Sequence, residues 1–129
     1  MWHGYNGADP VAASIRCSNA ADYPWLILVP RRVDSSEIAD LDDDGARLMP
    51  EIALASRVLE DMTQCDKINV AAIGNVVPQL HVHVVARRKD DPRWPKPVRR
   101  AAPACVGDEV KFERFVTAIR DKLGLAAIG

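Results

Sequence analysis

The stretch Gln79-Leu80-His81-Val82-His83-Val84-Val85-Ala86 alternates polar and apolar side chains with a period of two. That period belongs to a β-strand, whose successive side chains point to opposite faces. Gln79, His81 and His83 therefore share one face and Leu80, Val82 and Val84 the other, so this strand offers a core on one side and a polar site on the other. Side chains two residues apart on one strand face stand about 6.5 to 7 Å apart, close enough to surround a small anion such as a phosphate. The chain has 3 histidines, and two of them lie here. By residue type alone the pair admits three readings: histidines that face solvent or satisfy core hydrogen bonds, a phosphate-handling pair, or two ligands of a Zn2+ site. The zinc reading requires a third ligand, and no Cys, Asp or Glu stands between Ile73 and Lys89.

Working outward, residues 67–73 read as a strand stopped by Gly74 and Asn75. Before them, Asp42, Asp43 and Asp44 crowd the start of a helix whose apolar positions are Leu48, Ile52, Ala55, Leu59 and Met62. Pro50 fits such a helix only in its first turn, where a missing N–H costs nothing. Earlier still, Trp25-Leu26-Ile27-Leu28-Val29 between Pro24 and Pro30 reads as a buried strand, with residues 15–17 placed to pair with it as a hairpin. Tyr23 and Trp25 are expected to serve core and hairpin packing. After the histidines comes the irregular segment RRKDDPRWPKPVRR, then a second helix with Val110, Phe112, Phe115, Val116, Ile119 and Leu123 on one side and Gly124 as its stop. Two strands, a helix, two strands and a helix, joined by short connections, predict an α+β fold: an antiparallel sheet of four or five strands with two helices on one face. Residues 1–14 show no period and are expected to form a flexible arm, leaving residues 15–129 as one domain.

Composition narrows the function. A chain of 129 residues and 14.2 kDa holds one core and no separate cofactor domain. Seventeen Lys plus Arg against 18 Asp plus Glu give a net charge of -1, without the basic excess that drives bulk nucleic-acid binding. No stretch approaches the ~20 apolar residues of a membrane span, and the start, MWHGYNGADP, lacks the pattern of a secretion signal. Cys17, Cys65 and Cys105 form no C-x-x-C spacing, which suits reduced thiols in a cytoplasmic protein. Within residues 87–100, 7 basic side chains stand against 2 acidic ones, a local charge of +5. Such a run is either a solvated loop or, at the exit of the histidine strand, a cradle for a polyphosphate tail with Trp94 stacking on a base.

The longer string GNVVPQLHVHVVARRKDDPRWPKP, together with PWLILVPRR upstream, resembles the histidine triad (HIT) family of nucleotide hydrolases and transferases. The family signature is H-φ-H-φ-H-φ-φ, with φ apolar; in register it places Gln79, His81 and His83 on the three triad positions, and six of the seven positions fit. More narrowly, the sequence is similar to a bacterial branch with Gln at the first position. The resemblance implies attack by His81 on the α-phosphorus of a purine nucleotide, such as a dinucleoside polyphosphate or a nucleoside phosphoramidate, through a covalent nucleotidyl-histidine that water hydrolyses. It further implies that His83 binds phosphate oxygens and assists charge transfer, with Gln79 completing the catalytic set, and that Asn69, Asn75, Val76 and Trp94 contact substrate. No protein-bound metal or cofactor is implied, although Mg2+ accompanies some polyphosphate substrates. A homodimer is implied as well, consistent with an apolar helix stripe that a small sheet covers poorly. Gln79 replaces a histidine and cannot relay a proton, and Val76 replaces a Ser or Thr hydroxyl. The alternative activity is therefore a nucleotide-binding regulatory module of the same fold with weak or lost turnover.

Overall fold

The apolar residues of the histidine strand meet those of the upstream strand in a computed structural model that describes residues 12–18, 23–30, 32, 34–98 and 109–123. In chain order the elements are β1 (Ala12–Ser18), β2 (Trp25–Pro30), a 3-10 turn (Ile38–Leu41), α1 (Asp43–Thr63), β3 (Lys67–Ala71), β4 (Val82–Arg87) and α2 (Glu109–Leu123). The four strands form one sheet in the order β1-β2-β4-β3, with every pair antiparallel. This is the expected α+β arrangement, including the β1–β2 hairpin with Cys17 opposite Leu26. β1 opens at Ala12, so the boundary drawn after residue 14 falls inside a strand; the rest of the expected arm, residues 1–11, lies outside the described residues. Gly124, the expected stop of the second helix, also lies outside them.

Alternation decides the faces. Leu26, Leu28, Val82, Val84 and Ala86 point to one side of the sheet, where they pack with Leu48, Ile52, Ala55 and Leu59 of α1 and Ile119 of α2. Leu26, Leu28, Leu48, Ala55, Leu59, Val84 and Ile119 are all 0% exposed. At about 25 cal/mol per Å2 of apolar surface, each such leucine contributes about 2 kcal/mol of burial free energy. The α1 stripe is thus covered within the protomer by the sheet and α2, and the expectation that it needs a second subunit for cover does not hold. On α2 the apolar side is only partly used, because Ile119 and Phe115 reach the core while Val110 is 57% exposed.

α1 departs from expectation at Pro50. The helix begins at Asp43, which puts the proline in its third turn rather than its first. Proline cannot donate to the carbonyl four residues back, that of Ala46, and the proline is exposed, so water can take up this lost bond on the solvent side. The helix ends at Gln64, whose left-handed backbone (φ 52°) lets its N–H reach the Glu60 carbonyl at 2.8 Å.

The two strands nearest the site are shorter than the sequence suggests. β3 stops at Ala71 rather than residue 73, and β4 starts at Val82, so Gln79 and His81 lie in the segment that leads into the strand. Leu80, 2% exposed, inserts into the core, and its N–H donates to the Ser35 carbonyl at 2.8 Å. That anchor keeps the in-out alternation running before sheet pairing begins.

Candidate functional site

The site is built where the chain turns from β3 into β4. Gly74 adopts φ +67°, a left-handed conformation that side chains disfavour, and it launches an exposed bend carrying Asn75 and Val76. Val76 is 81% exposed. From there Pro78 leads to Gln79, whose side-chain amide donates from Nε2 to the backbone oxygen of Arg32 at 3.0 Å. This bond ties the exit of β2 to the approach of β4 and turns the Gln79 side chain to the chain backbone rather than to the histidines.

Gln79 serves the site through its main chain. Its carbonyl oxygen lies 2.7 Å from His81 Nδ1. A carbonyl only accepts, so Nδ1 carries the hydrogen, and the neutral His81 ring keeps the lone pair on Nε2. His83, the second residue of β4, lies opposite Ile27 of β2 and Ala71 of β3. Its Nδ1 accepts a hydrogen bond from the Trp25 indole at 2.9 Å. The two imidazoles meet edge to face with centroids 4.9 Å apart and planes at 76°. Both are half-buried. Burial, and secondarily the charge that His81 acquires on protonation, holds His83 below the usual histidine range. A site with an open nitrogen lone pair beside a second, neutral imidazole can attack an electrophilic centre and hydrogen-bond to the same group.

Further along the same sheet face lies a second polar cluster. Arg87, 1% exposed, donates from Nε and Nη2 to the Asp91 carboxylate at 2.7 and 3.0 Å and from Nη1 to Asn69 Oδ1 at 2.9 Å. The rings of Tyr23 and Trp94 lie against its guanidinium at 5.6 and 5.7 Å. The structure therefore brings His81 and His83 together, sets Asn75 and Val76 in the bend before them, and gathers Asn69 and Trp94 around Arg87 instead. Part of the basic run is structural too: Arg88 donates to the Thr63 carbonyl, and the Lys89 N–H to Asp66 at 2.8 Å. Sequence reasoning missed the Trp25–His83 bond, whose partners stand 58 residues apart. It also missed Arg87, which composition placed in a solvated run. Among the described residues no three His, Cys, Asp or Glu side chains cluster closely enough to hold a metal ion, so the pair acquires no third zinc ligand there.

Residues 9–90 match the HIT domain family model, and the chain belongs to that family. It is 42% identical to a histidine triad protein of Bradyrhizobium japonicum over 95% of this chain and 98% of that one, with a TM-score of 0.82. A histidine triad protein of Sinorhizobium meliloti is 43% identical over 84% of this chain and 82% of its own, with a TM-score of 0.78. One of Marinobacter aquaeolei is 32% identical over 96% and 97%, with a TM-score of 0.77. No curated protein matches the chain. Among the described residues no helix is long and apolar enough to cross a membrane.

Proposed function

We propose that this chain is a nucleotide hydrolase or nucleotidyl transferase acting at the α-phosphate of a purine nucleotide, with a dinucleoside polyphosphate or a nucleoside phosphoramidate as substrate. The observation that carries this reading is the Nδ1 bond of His81 to the Gln79 carbonyl, which leaves Nε2 as the reacting atom. In the first step His81 Nε2 forms a bond to the α-phosphorus and the bond from phosphorus to the leaving oxygen or nitrogen breaks; His81 keeps its Nδ1 hydrogen, so the ring becomes cationic, and a departing amine takes a proton from solvent. In the second step water attacks the phosphorus and gives up a proton to solvent, the phosphorus–Nε2 bond breaks, and the mononucleotide and the neutral imidazole are released. His83 contacts the phosphoryl oxygens where charge develops. Asn75 and the backbone of Val76 lie in the bend that reaches the phosphate. The two steps call for no protein-bound metal, and Mg2+ accompanies a polyphosphate substrate. The reading places the protein in the cytoplasm.

Homodimerisation belongs to the same reading. Among the described residues β3 is an edge strand; it carries Val70, 48% exposed, and the segment that follows it carries Ile73, Val76 and Val77, exposed by 42, 81 and 57%. Such an edge favours pairing with a second copy. Light scattering is expected to give about twice the 14.2 kDa chain mass, and a mass near 14 kDa at micromolar concentration rules the dimer out.

One observation favours the second reading, a nucleotide-binding regulatory module with little turnover: the Gln79 side chain is engaged with Arg32 and offers no proton relay. Incubation with an α-phosphorus-labelled nucleotide separates the two. Acid-labile label on the protein, lost in His81→Ala, is expected for the enzyme; tight nucleotide binding without label or released mononucleotide supports the module.

A further inference from the structure

The two imidazoles are held through the same ring atom but in opposite senses. His81 gives its Nδ1 hydrogen to a carbonyl, whereas His83 uses Nδ1 as an acceptor. An indole nitrogen has a hydrogen and no acceptor capacity, so the direction of the Trp25–His83 bond is not open to choice. With Nδ1 accepting, the hydrogen of a neutral His83 ring stands on Nε2. We infer that Trp25 is a positioning residue that locks His83 in the Nε2–H form, making it a fixed hydrogen-bond donor beside the nucleophilic lone pair of His81. The inference rests on the nucleotidyl-transfer reading for the identity of the acceptor, a non-bridging oxygen on the α-phosphorus.

The surroundings make this lock stiff. Trp25 is 3% exposed and packs with Tyr23 and Val85 in a small cluster on the site face of the sheet. It pairs with Val85 across the β2–β4 ladder, while Ile27 pairs with His83, so the indole reaches the imidazole from the neighbouring rung. The rings meet edge to face, with centroids 5.4 Å apart and planes at 66°. In the other neutral form, Nδ1–H would face the indole N–H, leaving a buried donor without an acceptor. Protonation of His83 raises the same conflict. The groups facing His83 from the adjacent strands, Ile27 and Ala71, carry no charge, and His81 is the titratable neighbour that acts on it.

With Nε2 of His81 as a lone pair and Nε2 of His83 as an N–H, the site presents one nucleophile and one donor in a single charge state. No proton needs to move between the imidazoles before substrate is engaged. Trp25 thereby fulfils through its N–H a role that its position in an apolar strand hides.

Nitrogen-15 NMR of the histidine-labelled wild-type protein at neutral pH tests the lock without a variant. The expected result is an Nε2–H, Nδ1-acceptor pattern for His83 and the reverse for His81. A wild-type His83 in the Nδ1–H form, or averaging between both forms, overturns the inference. Trp25→Phe keeps an aromatic ring and removes the donor. In that variant His83 is expected to average between tautomers while His81 keeps its pattern, and turnover of adenosine 5′-phosphoramidate is expected to fall about tenfold in kcat with a smaller change in KM. A Trp25→Phe protein that retains the Nε2–H form and the parental kcat also overturns it. If the parent forms no nucleotidyl adduct, the transfer reading falls, and the wild-type spectrum still decides whether Trp25 sets the tautomer.

Discussion

β4 carries His83 near one end of its site face and Arg87 at the other, four residues or about 13 Å further on. At the Arg87 end, Nε, Nη1 and Nη2 all have partners, and two aromatic rings cover the guanidinium. At the histidine end the fold engages Nδ1 of each ring, and among the described residues each Nε2 is left without a hydrogen bond. Both ends hold polar groups on one face of one strand. Their difference lies in engagement: a guanidinium with a partner at each of its three nitrogens ties Asp91 to the sheet, while two imidazoles with open Nε2 atoms are prepared to bind something else.

The sharpest way to break this contrast is to remove the nucleophile. His81→Ala is expected to lower turnover by roughly 1000-fold or more, with chemical denaturation shifted by less than about 1 kcal/mol because the ring is only half-buried. Retained turnover would show that the open Nε2 is not the reacting atom. The opposite outcome is expected at the other end. Asp91→Ala leaves the Arg87 guanidinium buried and uncompensated, which costs about 3 to 5 kcal/mol of stability by urea titration, with little change in kcat for the molecules that remain folded. A large loss of kcat at unchanged stability would merge the two clusters into one site.

Acid sharpens the comparison. Hydrogen bonds from Arg87 hold the Asp91 carboxyl below its ordinary value, so its contribution is present above the normal carboxylate range and is lost as pH falls through the lowered value. His83 is also shifted down, chiefly by burial, and the native state resists its protonation. Its contribution is present above the ordinary histidine value of 6.5 and disappears as pH falls through the depressed one. NMR titration is expected to show His83 more than half neutral at pH 6.5, and a half-point at or above that value would contradict the burial argument. The smallest effect is expected at Gln79. Its side-chain bond to Arg32 is exposed, so Gln79→Ala should cost about 0.5 to 1.5 kcal/mol of stability and less than about tenfold in kcat, and Gln79→His should be tolerated. A loss of 100-fold or more in Gln79→Ala kinetics would place this side chain on the substrate.

Much of the fold is legible in the amino-acid order alone. The alternation around His81 and His83 marks a strand with one apolar face, and the spacing from Leu48 to Met62 marks a helix, because burial on one face imposes its own period on the residues that supply it. The Arg87 cluster is not legible in that way: a cation in a basic, proline-rich run looks solvated until the fold brings Asn69, Tyr23 and Asp91 to it. Asn69 looks like a phosphate contact for the same reason, since an amide reads identically whether its partner is a ligand or a guanidinium. Pro50 escapes because the cost of an interior proline, about 3 kcal/mol, is offset by burial of Leu48, Ile52, Ala55 and Leu59 on the other face of the helix, which only the folded sheet provides. The direction of the Trp25–His83 bond depends on which ring nitrogen faces the indole, and no linear pattern encodes that.

The contact between His81 Nδ1 and the oxygen of Gln79 has an evolutionary side. The group that orients the nucleophile belongs to the main chain, and every amino acid supplies the same one. Drift at position 79 can therefore change the side chain from one residue to another without disturbing the ring two residues later, provided the backbone keeps its path between Pro78 and Leu80. What orients the nucleophile is thus the path of the backbone from Pro78 to Leu80, and a glutamine in place of the first histidine leaves that carbonyl where the His81 ring needs it.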